Sequence, residues 1–176
     1  MSDFKLYKAY GGLCNPDAPE SILAQMKTLA ERLETKGFTV RTNGAKGGEA
    51  AFEAGASDVE AHIPWRSFNE HPSKLNRTTD EAKAVIRQFA PGFDGLKPAV
   101  QTIIASKAHV ILGKDLKNPI QFLICWTQDG CETVAQRNAK TGYIGVGIAL
   151  AASLKIPVFN LKNPDALDRL KQFLEN

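Results

Sequence analysis

The run "IQFLICWT" (120–127) most narrows the folds open to this chain. A strand with one face in water alternates apolar and polar residues. A run this uniformly apolar must be covered on both faces, as in a parallel sheet sandwiched between helices. The rest of the sequence supplies the neighbours that such a strand needs.

"FKLYKAY" (4–10) reads as the first strand, ending in a tight turn at Gly11-Gly12. Asp17 and Glu20 have capping-box spacing with Pro19 between them. Ile22, Met26, Leu29 and Leu33 then mark one face of a helix that stops at Gly37. "FTVRT" (38–42) is strand two, followed by a glycine loop and a short helix over 48–55, and "VEAHIPW" (59–65) is strand three. A polar loop (67–77) precedes a helix capped by Thr78 and Glu81 that runs through Phe89 until "APGF" breaks it. Pro98 opens a helix towards Leu112.

After the apolar strand, "TGYIGVGIALAASL" (141–154) becomes a small-residue helix, and "IPVFNL" (156–161) is the last strand. Asn163-Pro164 starts a final helix with Leu167, Leu170, Phe173 and Leu174 towards the core. Strands separated by helices mean a mostly parallel sheet with helices on both faces. The expectation is α/β: a single Rossmann-like domain over 1–176, with about five strands and no internal repeat or linker.

Ligands of such sheets bind beyond the carboxyl ends of the strands. The residues leaving those ends are 11–15, 43–48, Pro64-Trp65 and 127–130. Two glycine turns on this rim suit phosphate, because a turn entering a helix exposes unsatisfied N–H groups and the positive end of the dipole. One is Gly44, Lys46, Gly47 and Gly48; the other is Thr141, Gly142 and Gly145. Neither follows the Walker or GxGxxG pattern, and tight turns with close helix–sheet packing would use the same glycines.

Glu49 and Glu53 project from one face of the short helix, where like charges four residues apart repel. They form either a solvated acidic face or a pair of carboxylates working at a glycosidic carbon. Carboxylates repel phosphate, so a ligand would place its phosphate at 141–145 and its sugar near these two. Gly12, Cys14, Asn43, Trp65 and Asp129 are the candidate base and ribose contacts. Trp65 either covers the core or stacks on a base. His62 reads as a structural core residue, and His71 and His109 join no constellation.

Three cysteines without paired spacing argue against a disulfide framework or a zinc cluster, and Cys125 reads as core. No metal and no cofactor is expected. A net charge of +3 without blocks of like charge gives no sign of a nucleic-acid tail or membrane patch. No apolar run reaches spanning length, and "MSDFKLYKAYGG" lacks a signal-peptide pattern, so a cytoplasmic protein is expected.

"TNGAKGGEAAFEAGA", "HIPWRSFN", "VILG", "LICWTQDG" and "TGYIGVGIALAASLKIPVFNL" together resemble the SLOG superfamily, which groups LOG-type nucleotide phosphoribohydrolases with DprA-like proteins. The resemblance covers most of residues 5–161 and is closest to small stand-alone DprA-like members of bacteria and phages. It implies a Rossmann-like nucleotide-binding domain. The activities it implies diverge: hydrolysis of the N-glycosidic bond of nucleoside 5′-monophosphates, binding of single-stranded DNA in DNA processing, or non-catalytic sensing of nucleotides. Glu53 matches the family's acidic position. Glu49 stands where an aspartate is typical, Asn43 where a second glycine is, and Ser106-Lys107 where an Arg-Asn pair is expected. Tyr143 and Ile144 replace small residues, and the "PGGxGTxxE" signature is absent, so its glutamate maps to no position here. The expected partners are a small nucleotide ligand, alternatively single-stranded DNA, and further copies of the chain in a homo-oligomer.

Overall fold

A computed structural model describes residues 7–176. Its five strands are β1 (Lys8–Cys14), β2 (Phe38–Thr42), β3 (Val59–Ala61), β4 (Leu123–Trp126) and β5 (Val158–Asn160). Its α-helices are α1 (Glu20–Thr35), α2 (Gly48–Ala54), α3 (Asp80–Arg87), α4 (Pro98–Leu112), α5 (Ile144–Ser153) and α6 (Ala166–Glu175). All strand pairs are parallel, in the order β3-β2-β1-β4-β5. The sheet is Rossmann-like, and its order reverses between β1 and β4. None of the described helices is long and apolar enough to cross a membrane.

Alternate residues of the central strands enter two different cores. Ala9 and Leu13 of β1 and Leu123 and Cys125 of β4 face α3, α4 and α5, with Ile86, Ile104, Ile111 and Ile148. Tyr10, Ile124 and Trp126 face α1, α2 and α6, with Met26, Leu33, Phe52 and Leu170. Double coverage is why "LICW" carries no polar residue.

The structure departs from the sequence reading in several places, each for a local reason. β1 does not turn at Gly11-Gly12 but continues through them to Cys14; residues 4–6 of the expected strand lie outside the described residues. A Cβ on Gly11 would come within 2.9 Å of Ile120, and one on Gly12 within 2.5 Å of the Phe52 ring. Both glycines therefore let side chains close on the strand. Asp17 does not cap α1, whose N-cap is Pro19 with no side-chain bond; its carboxylate instead accepts a hydrogen bond from Gln128 Nε2. β3 ends at Ala61, short of the expected Trp65, because its neighbour β2 stops at Thr42 and the Ile63 N–H turns to the Leu75 carbonyl outside the sheet. Leu167 and Phe173 are 42% and 37% exposed on α6, although the Phe173 ring packs edge-on against Phe122. His62 is buried, yet its Nε2 has no hydrogen-bond partner among the described residues and lies 3.8 Å from Glu60 Oε1.

Thr79, not Thr78, caps α3: its Oγ1 accepts from the Ala82 N–H at 3.1 Å. The Thr78 hydroxyl donates to the Pro64 carbonyl. Thr79→Ala is expected to lower unfolding stability by about 1 kcal/mol, read as a shift in the urea midpoint, whereas Thr78→Val leaves the helix cap intact.

Candidate functional site

A hollow of about 700 Å³ opens beyond the carboxyl ends of β1, β2 and β4, where the strand order reverses and such folds receive ligands. Cys14 and Asn15 enter it from β1, Asn43 and Lys46 from the loop after β2, and Glu49 from α2. Gln128 comes from the loop after β4, Lys107 from α4, and Gly142, Tyr143 and Ile144 from the entry to α5. Among the described residues no group of His, Cys, Asp or Glu could hold a metal ion.

Glu49 is the most unusual of these side chains, because only 2% of it is exposed. The glycine loop explains how it gets there. Gly44 and Gly47 have φ of 76° and 90°, a region that favours glycine. Gly48 begins α2 so close to β1 that an added Cβ would sit 2.3 Å from Cys14 Cβ. This approach brings Glu49 Oε1 within 2.8 Å of the Cys14 N–H, which donates to it. Burial pushes the carboxyl up to about 7, and the backbone hydrogen bonds and Lys107 only partly offset it. Gly48 thus serves the seating of a carboxylate and does not line the hollow, and neither do Gly44 and Gly47. Of that turn, Lys46 faces the hollow from its exposed edge.

Lys107 is 4% exposed and has neither an ion pair nor a hydrogen bond with any described residue. Burial pulls its ammonium down to about 8, against an opposing pull from Glu49. The hollow therefore holds a buried acid and a buried base, both poised near neutral pH.

Glu53 takes a different place. It lines an adjoining hollow with His71, Glu70 and Ser73 that shares only Asn69 with the first. Its Oε1 accepts the Thr42 hydroxyl at 2.5 Å, and its Oε2 lies 2.8 Å from His71 Nε2. The Ser73 N–H donates to His71 Nδ1, so the ring proton sits on Nε2 and is donated to Glu53. This chain of bonds braces a loop in which Ser67, Asn69 and Glu70 all have positive φ, a conformation that non-glycine residues keep only when their surroundings enforce it. The braced loop aims Asn69 at the first hollow, with its Nδ2 donating to the Gly44 carbonyl. Glu53 and His71 act here as a scaffold. Their pairing joins a helix and a loop 18 residues apart, with no local motif to announce it.

Several other candidates are occupied elsewhere. The Thr141 hydroxyl donates to Asp129 Oδ2 at 2.5 Å and accepts from the Asn138 N–H. Burial raises the Asp129 carboxyl, but the Thr141 and Thr127 hydroxyls and the Cys131 N–H outweigh it and hold it below its ordinary range. Asp129 and Thr141 are therefore the fastening of a loop and do not line the hollow. Gly145 lies under the Arg137 side chain, leaving Gly142 as the predicted residue of that turn that reaches the site. Gly12 lies under Phe52. Trp65 is 39% exposed, packed edge-on against Phe68, and does not line the hollow. Cys14 does line it, but burial and then Glu49 push its thiol up to about 12, so it is no thiolate nucleophile.

Comparison with protein-family models, with curated proteins and with solved structures finds no match to this chain.

Proposed function

We propose that this protein binds a nucleotide in the hollow above β1, β2 and β4 and hydrolyses its N-glycosidic bond, taking nucleoside 5′-monophosphates to free base and ribose 5-phosphate. The observation that carries the reading is the buried Glu49 carboxyl in the wall of that hollow. A carboxyl with a proton affinity near neutral pH suits general-base work on a water attacking the anomeric carbon. Its Oε1 is fixed by the Cys14 N–H, and Oε2 receives no hydrogen bond from another described residue.

The remaining lining suits the ligand class. Asn15, Asn43, Asn69 and Gln128 offer both donors and acceptors to sugar hydroxyls and a base edge. Lys46 and Lys140 add positive charge near the entry to α5, where the positive end of the helix dipole favours an anion. The resemblance of the sequence to SLOG-type proteins points the same way. A mechanism with both carboxylates at the sugar is less well supported, because Glu53 is engaged by Thr42 and His71.

The test is incubation with a panel of ribo- and deoxyribonucleoside 5′-monophosphates, with free base measured by chromatography and binding by calorimetry. Base release by wild type, lost in Glu49→Gln, is the expected result. Tight binding without release would replace hydrolysis by sensing or sequestration. Absence of mononucleotide binding, with oligonucleotide retention that falls steeply with salt, would replace it by single-stranded DNA binding.

A further inference from the structure

The hydrolytic reading gives the buried Glu49 a task but leaves the buried Lys107 of the same hollow without one. Lys46 and Lys140 stand in water at its rim, where a cation can meet a phosphate without loss of solvation. Lys107 is buried on α4, beside the same wall as Glu49, with no described residue to neutralise it by contact. Its stem runs past Gly147 of α5, where a Cβ would lie 3.8 Å from Lys107 Cδ and only 2.7 Å from Leu13. The fold thus packs α5 tightly at Gly147 and leaves a narrow slot for the lysine stem, whose head faces the hollow. An unpaired ammonium in such a place is unfavourable for folding and calls for a use.

We propose that Lys107 is the general acid of the site, handing a proton to the departing base while Glu49 takes one from the attacking water. The proposal rests on the hydrolytic reading above. As the C1′–N bond breaks, its electron pair goes to the base nitrogen, which is protonated by Lys107. The water oxygen bonds to C1′, and its proton passes to Glu49. The pair then holds a carboxyl and a neutral amine, and transfer of one proton from Glu49 to Lys107 restores it. The two groups hold their protons within about one pH unit of each other, so the return of the proton from Glu49 to Lys107 is nearly level in energy. The other ionisable groups lining the hollow are Cys14, Asp17, Lys46, Lys140 and Tyr143. Of these Cys14 is buried and holds its proton too tightly to donate it, and the Asp17 carboxylate is bonded to Gln128.

The experiment compares two leaving groups in wild type, Lys107→Met and Lys107→Arg. A nucleoside 5′-monophosphate needs its base protonated, whereas 4-nitrophenyl riboside 5-phosphate releases a stable anion that needs no acid. Both variants are expected to lose at least about 10²-fold in kcat on the nucleotide while keeping most of their activity on the nitrophenyl compound, with little change in KM. Arginine keeps the charge but does not give up its proton near neutral pH, so it tests acid catalysis against simple anion binding. Equal losses on both substrates, or rescue of nucleotide turnover by arginine, would overturn the role of Lys107 alone. Wild type releasing neither base nor nitrophenol would remove the hydrolytic reading and this proposal with it.

Discussion

Glu49→Gln is expected to reduce base release by about 10²–10⁴-fold, the range for loss of a general base, and to make the protein more heat-stable above neutral pH. The two effects have one cause. Glutamine preserves the volume and the acceptor for the Cys14 N–H, so the fold keeps its contacts. It removes the ability to take a proton from water, and with it a charge that the folded state shelters poorly.

The sign follows from proton counting. The folded protein holds the Glu49 proton up to about pH 7, whereas the unfolded chain releases it near the ordinary 4.5. Between those values the folded state binds more protons, so stability falls as pH rises through the window and stays low above it. The glutamine variant has no such fall. Lys107 loses the attraction of Glu49, which takes back part of the gain. Melting temperatures of the two proteins should therefore lie close at pH 4.5 and separate towards pH 8, with the variant higher. A variant less stable than wild type at pH 8 would show that the carboxylate is paired in a way the hollow does not reveal.

The order of elements was legible in the sequence because each strand and helix carries its own period. β2 and α4 fall within one residue of their expected limits, bounded by Gly37 and Pro98. The errors arise where a residue type has two physical uses. Glycine in Gly11-Gly12 suited a turn as well as it suited a strand beneath Phe52. Thr78 and Thr79 are equally good caps in isolation, and only the path of the chain past Pro64 assigns one to each partner.

The site was legible along the strand ends that face it: Cys14, Asn43, Lys46, Glu49 and Gly142 all reach the hollow. Lys107 was not, because it sits mid-helix in an apolar stretch, and nothing local tells a buried lysine from one that reaches water along its stem. Glu53 lines the adjoining hollow, which its spacing did not show, for a similar reason. Helical spacing places it on the face of Glu49, but its direction is decided by Thr42 and His71.

The largest structural effect is expected at Asn160, which ends β5 and is completely buried. Its Nδ2 donates to Thr127 Oγ1 at 2.7 Å and to the Cys131 carbonyl at 2.9 Å. Its Oδ1 accepts from the N–H groups of Thr127 and Lys162. One amide thus ties the exit of β4 to the exit of β5 and holds the loop on which Gln128 reaches the hollow. Asn160→Ala leaves the Thr127 N–H and the Cys131 carbonyl without partners, and two such orphans amount to roughly 2–6 kcal/mol. For a domain of this size that corresponds to a fall in melting temperature of about 5–16 °C. Asn160→Asp keeps the acceptor but loses both donated bonds and buries a charge, so it should do no better. Nucleotide affinity should fall in both variants at temperatures where they remain folded, because the Gln128 loop is no longer pinned. A melting temperature within about 2 °C of wild type for Asn160→Ala, below the shift of one lost buried hydrogen bond, would mean that the loop is fastened instead by its other bonds, among them Thr141 to Asp129, Asn163 to the Gly130 carbonyl and Arg169 to Glu132.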